Sequence, residues 1–182
     1  GGRDAECSQG GGQGGARGAL PGAGAVGAGW RRRKRSKGGV VLDRKADGGA
    51  GAFKVLAGDA DVIIENFRAD MMDALGLGYE ALAADHPGLV YLAITGFGRT
   101  GPYRDRAGLD LVLQAESGLM SVTGEPGGQP VKIGVPAVDL AAALYGAYAV
   151  VCALTARATS RAGQPTDIAL IEDGLRQGEH TA

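Results

Sequence analysis

Lys132–Ala156, KIGVPAVDLAAALYGAYAVVCALTA, holds a short loop, one aspartate at position 139, and then a run from Leu140 onward without a charged residue. The apolar and small residues continue past the length of any strand, and Pro136 stands where a helix would begin. The stretch is therefore predicted to be a buried helix with Asp139 at its N-terminal cap. A carboxylate there accepts hydrogen bonds from the first backbone N–H groups and suits the helix dipole, which by itself explains the residue. The same run is the transmembrane candidate of the sequence. It is short for a span, rich in alanine and interrupted by Tyr145, Gly146 and Tyr148, so a core helix is the better reading. Its small residues would let a sheet approach closely.

Outward from this helix, composition sets the bounds. The chain has 182 residues, and its 45% hydrophobic content is enough for one domain with a core. A formal charge of -1 gives no pull toward nucleic acid or an anionic membrane, and neither is expected as a partner. The 34 glycines crowd the front. Gly1–Trp30 shows neither helical nor alternating periodicity and could not offset the entropy of ordering, so disorder is expected. Its residues are those of GC-rich codons, which leaves open a misread frame joined to a real gene. The basic run Arg31–Lys37, RRRKRSK, reads as a solvated linker rather than a phosphate-binding patch, since no aromatic residues interleave with it. The expected organisation is thus a disordered segment over 1–37 and a folded part over 38–182.

Cys7 and Cys152 lie too far apart in sequence to suggest a disulfide framework or a zinc site, so no metal is expected. The first thirty residues lack the apolar core of a signal peptide, and a reducing, cytoplasmic setting fits best.

From Gly38 strands and helices alternate. Val40–Asp43 reads as a short strand, Ala50–Leu56 as a helix, Asp61–Phe67 as a buried strand, Met71–Leu75 as a helical turn and Tyr79–Asp85 as a helix. A strand at Gly88–Ile94, a helix over Asp110–Val122 broken near Gly118, and a strand at Thr166–Ile171 complete the pattern. Gln114 and Glu116 read as a polar helix face. Such alternation predicts an α/β fold with a parallel sheet and flanking helices. Ligands on such sheets bind at the carboxyl ends of the strands, here Asp43–Lys45, Glu65–Arg68 and Thr95–Gly101. Gly96, Gly98 and Gly101 match a dinucleotide-binding spacing directly after a strand, but Pro102 follows at once. No helix can start there to face a pyrophosphate, so an irregular loop is expected and NAD binding is the weaker alternative.

Taken together, LDRK at Leu42–Lys45, ADVIIENFR at Ala60–Arg68, LGLGYEAL at Leu75–Leu82 and TGFGRTGPY at Thr95–Tyr103 form a series. It continues with AGLDLVLQAESGLMSVTG at Ala107–Gly124, GVPAVDL at Gly134–Leu140 and GQPTDIALIED at Gly163–Asp173. In order and spacing this series resembles the family III CoA-transferases, over about Arg35 to Gly174. The resemblance implies an incomplete Rossmann-like large domain and transfer of coenzyme A from an acyl-CoA to a small carboxylic acid, with Asp139 as nucleophile. No permanently bound cofactor is implied, since CoA enters as substrate. Backbone N–H groups at the helix start would stabilise the oxyanion of each tetrahedral intermediate, so that capping and catalysis share one site. Leu42, Lys45, Asn66, Phe67, Arg68, Arg106 and Ala107 would line the CoA channel. Within it Lys45 and Arg68 would pair with phosphates, Phe67 would lie against the adenine and Asn66 would orient the pantetheine amides. For Asn66 and Phe67, packing at a strand end is the plain alternative.

The related α-methylacyl-CoA racemases carry a histidine base before the position of Asp110. Here that position is Leu109, which favours a transferase, and His86 reads as a surface residue. Family members begin with a further strand and continue into a small domain, and they form interlocked homodimers. A non-catalytic fragment is therefore the alternative function. Ala74 and Ala107 stand where some members carry basic residues.

Overall fold

A computed structural model of the chain describes Leu42 and residues 48–179. The expectations for residues 1–37, for the strand at Val40–Asp43 and for Lys45 lie outside the described residues, apart from half-buried Leu42.

The elements are α1 (Gly49–Gly58), β1 (Val62–Glu65), α2 (Met71–Ala74), α3 (Tyr79–Ala83), β2 (Val90–Thr95), α4 (Asp110–Glu116), α5 (Ala137–Ser160), β3 (Pro165–Ala169) and α6 (Leu170–Gly178). The three strands form one open parallel sheet in the order β1-β2-β3, with Glu65 and Asp167 both opposite Ala93 of the central strand. Alternation along the strands builds two cores. Ile63, Tyr91 and Ala93 point to one face, where they meet Ala57, Met72, Leu77 and Leu82 from α1 to α3 and the turn between. On the other face Leu92 and Ile94 meet α5 at Gly146. Val138 and Ala142 of α5, Leu113 of α4 and Leu170 of α6 close a second cluster with Phe97 and Leu119. Helices on both faces of a parallel sheet are the expected α/β layering.

The direction of α5 positions the candidate site. Near its C-terminal end Arg157 donates to the Gly88 carbonyl and to Asp61 Oδ1, both at 2.8 Å, and these residues immediately precede β2 and β1. Near its start Val138 packs with Phe97, just beyond the end of β2. The helix therefore runs antiparallel to the strands, and its N-terminus lies at their carboxyl ends, where ligands of open α/β sheets bind.

Three expectations need correction. The apolar helix is not buried all round: Val138, Ala142, Gly146 and Ala153 form its buried residues, while Leu144 and Tyr148 are 73% and 70% exposed. Small residues on one stripe suffice to seat it on the sheet, and at 24 residues, with an 18-residue stretch of mean hydropathy 1.8, it is long and apolar enough to cross a membrane by length and composition. Second, Asp139 does not cap this helix. The N-cap is Pro136, without a side-chain cap bond, and Asp139 is the third helical residue. Third, the last strand stops at Ala169, and Leu170–Ile171 open α6, whose amphipathic LIEDGLRQG pattern outlasts the short apolar run.

Candidate active site

At the start of α5 every one of the first four backbone N–H groups has a partner. Ala137 donates to Val135 O at 2.8 Å and Leu140 to Pro136 O at 3.0 Å. Between them, Val138 and Asp139 both donate to Oδ1 of Asp110, at 2.9 and 3.1 Å. The capping carboxylate thus comes from the first turn of α4. This overturns the expectation that the same N–H groups stabilise an oxyanion, because their hydrogens already point at other acceptors.

The carboxyl of Asp139 is left exposed, and its pKa is raised above the ordinary value, first by partial burial and then by the facing charge of Asp110. Behind Asp110 lies Gln114, whose side chain is buried. Its Nε2 donates to Asp110 Oδ2 at 2.6 Å and to Val135 O at 3.2 Å, and its Oε1 accepts from the Ile133 N–H at 2.9 Å. One amide therefore ties α4 to the loop that leads into α5.

Sequence reasoning placed Gln114 on a polar surface and gave Asp110 no role. The overlooked signal is that Asp110, Leu113, Gln114 and Ser117 share one helix face at i, i+3, i+4 and i+7. The apolar run Leu111–Leu113 obscured it, since Leu111 in fact faces solvent.

The other candidates gather at the ends of β1 and β2. Asn66 leaves β1 and donates its Nδ2 to the Ile94 carbonyl at 2.7 Å, so the strand-end role and an exposed side chain coexist. The Phe67 N–H donates to Oε2 of buried Glu65 at 2.7 Å, while the Phe67 ring packs half-buried against the first core cluster. Glu65 itself has a raised pKa, chiefly from burial, opposed by that hydrogen bond. Arg68 is exposed beside them.

Arg106 is already engaged. Its guanidinium makes a two-pronged pair with Glu116 and lies over the rings of Phe97 and Tyr103, at 4.7 and 4.8 Å from their centroids. Ala107 is exposed in the turn that follows the GFGRTG loop. In that loop the glycines serve the backbone rather than a nucleotide-facing helix. A Cβ on Gly96 would stand 2.5 Å from Gly108 Cα, and Gly98 and Gly101 adopt φ of +84° and +85°. Leu109, at the racemase histidine position, is exposed next to Asp110. No cluster of three or more metal-ligating side chains occurs among the described residues.

Comparison with known proteins bears on this geometry. The chain matches the profile of CoA-transferase family III over residues 12–181. It is 45% identical over 138 residues to a succinate–glutarate CoA-transferase of Agrobacterium fabrum, a match covering 76% of this chain and 34% of that protein. To the succinyl-CoA:glutarate CoA-transferase of Homo sapiens it is 37% identical over 148 residues, covering 81% of this chain and 34% of the other. A solved CAIB/BAIF family protein from Brucella suis is similar at a TM-score of 0.75 and 41% identity, over 79% of this chain and 38% of that one. The chain thus spans about a third of the length of the curated relatives it matches.

Proposed function

The chain belongs to CoA-transferase family III, and from that premise we propose that its protein transfers coenzyme A from an acyl-CoA to a free carboxylic acid through a covalent intermediate on Asp139. The observation that carries this reading is the place of Asp139: an exposed carboxylate on the first turn of a helix whose N-terminus lies at the carboxyl edge of a parallel sheet, with its pKa raised. A carboxylate that is harder to ionise is also the stronger nucleophile once ionised.

The reaction runs in four balanced steps. The Asp139 carboxylate attacks the thioester carbonyl, the C–S bond breaks, and CoA leaves as its thiolate with an acyl-aspartyl anhydride behind. The thiolate then attacks the aspartyl carbonyl, which releases the donor acid as its carboxylate and leaves an aspartyl-CoA thioester. The acceptor carboxylate attacks that thioester to give a second anhydride and thiolate. Finally the thiolate takes the new acyl group, and the Asp139 carboxylate is restored.

Each step passes through an oxyanion. Since the first-turn N–H groups of α5 are engaged, its donors come from elsewhere in the protein. Asn66 and Arg68, exposed at the end of β1, would orient the pantetheine amides and pair with a phosphate, with Lys45 as a second phosphate partner. Phe67 would offer only one edge to the adenine, its ring being partly engaged in the core. Leu42 and Ala107 would contribute surface rather than charge, and Arg106, neutralised by Glu116, would act through its stacked aromatic neighbours. Residues 38–182 are read as part of a Rossmann-like large domain, the assembly as a homodimer, and the setting as cytoplasmic, where the exposed thiol of Cys152 would stay reduced.

The test is chemical trapping. Incubating the protein with acyl-CoA and then hydroxylamine should leave a hydroxamate on Asp139, visible by mass spectrometry of the peptide that carries it. Asp139→Asn should abolish both the adduct and CoA exchange while leaving CoA binding in place. Turnover retained in that variant, or an adduct on another residue, would sink the assignment.

A further inference from the structure

Resting on the reading of Asp139 as nucleophile, we propose that Asp110, held by Gln114, is its positioning residue, fixing the backbone beneath Asp139 and setting the charge it faces. Three observations converge on this. Oδ1 of Asp110 takes the N–H of Asp139 itself as well as that of Val138, so the nucleophile's own backbone is fastened to α4. Oδ2 is fastened in turn by Gln114, whose remaining bonds grip Ile133 and Val135 on the approach to α5. The result is a closed circuit of five hydrogen bonds through two side chains, joining α4, the entry loop and the first turn of α5.

The electrostatic side follows from where that charge sits. A helix N-terminus carries partial positive charge and would stabilise the Asp139 carboxylate, lowering its basicity and its power to attack a thioester. A full negative charge on the same N–H groups offsets that field. The raised pKa of Asp139, caused by partial burial and then by Asp110, agrees. The other charged side chains near the start of α5 contribute no charge effect on Asp139, whose shift has Asp110 as its charged cause. Glu172, Asp173 and Arg176 of α6 act on one another, and the Lys132 ammonium is 3.5 Å from the Ile133 carbonyl. Asp110 is therefore the charged group that bears on the nucleophile among the described residues.

Asp110→Asn keeps an amide oxygen that can still accept both N–H groups, while it removes the charge and the oxygen that accepts from Gln114 Nε2. Carboxyl-carbon NMR of aspartate-labelled protein, with Asp139→Asn to identify the resonance, reads the titration of Asp139 without depending on turnover. Its midpoint should move to lower pH in Asp110→Asn and in Gln114→Ala, which removes the donor that holds Asp110 Oδ2 over the helix start while leaving both carboxyl groups in the chain. An unmoved or upward-moving midpoint in Asp110→Asn overturns the proposal.

In single-turnover acylation, Asp110→Ala should slow adduct formation by roughly 10–100-fold with little change in the KM for acyl-CoA, and Asp110→Asn should recover part of the loss. A loss of the same size in Asp110→Asn and Asp110→Ala, confined to KM, would assign Asp110 to substrate binding and overturn it as well. A midpoint that moves as expected in a protein that forms no adduct with acyl-CoA would leave the coupling standing and remove the transferase reading instead.

Discussion

At Asp139, burial and the facing Asp110 carboxylate both push the carboxyl above its ordinary value of 3.8. A folded-state value above the unfolded one means that the folded state binds the proton more tightly. Stability is therefore lost as pH rises through the unfolded value toward the folded one, and the loss is complete above it. Asp139→Asn removes this ionisation. It should raise Tm at neutral pH, and the gain should disappear below about pH 3.8, where the wild-type carboxyl is protonated in both states. Thermal melts across pH check this, and a variant that is less stable than wild type at pH 7 would contradict it. A second residue-scale expectation concerns Lys132, the exposed cation on the loop before α5. If it reads the distal carboxylate of an acceptor, Lys132→Ala should raise the KM for dicarboxylates and leave that for monocarboxylates unchanged. An equal rise for both classes would assign Lys132 to general positioning.

Close packing between the elements and their loops explains several glycines, among them Gly146 and Gly96. A Cβ at Gly146 would lie 3.0 Å from Leu92 Cδ2, so α5 rests on the sheet through a position with no room for a branched side chain. Gly146→Val should cost about 1–3 kcal/mol in chemical denaturation. At Gly96 the obstacle is the backbone of Gly108 rather than a movable side chain, so Gly96→Ala should cost more, roughly 2–4 kcal/mol. Most of the elements were legible because periodicity and turn residues agreed: β1, β2 and α1 to α3 stand within a few residues of their predicted places, whereas α4 stops at Glu116 and the chain from Ser117 to Val122, expected to resume the helix, forms turns after Gly118 at φ +82°. Two failures have physical causes. TDIALI is apolar enough for a strand throughout, yet Leu170 and Ile171 belong to the buried face of α6, whose pattern emerges only beyond the run. Asp139 has the residue type of a cap, but the cap was supplied by Asp110, 29 residues earlier. Local patterns do not announce a partner so distant, which is also why the brace around the candidate nucleophile escaped the reading while the nucleophile did not.

For the whole molecule, the outer face of α5 poses the largest question of solvation. Leu140, Leu144, Tyr145, Tyr148 and Val151 are exposed along one helix, a larger apolar surface than scattered residues provide. Both outer edges of the sheet, on β1 and β3, are unpaired among the described residues. A homodimer of the kind proposed would cover such a face, and the energy at stake is set by the side chains that stand furthest out. Replacing Leu144 and Tyr148 together by lysine removes two of the most exposed apolar groups and places like charges against their counterparts, while Val138, Ala142, Gly146 and Ala153 keep the helix on its sheet. In sedimentation at micromolar concentration the double variant should shift toward monomer, with its far-UV circular dichroism unchanged. If association is untouched, this face is not the one that joins two chains, and the dimer proposed here would have to use another surface.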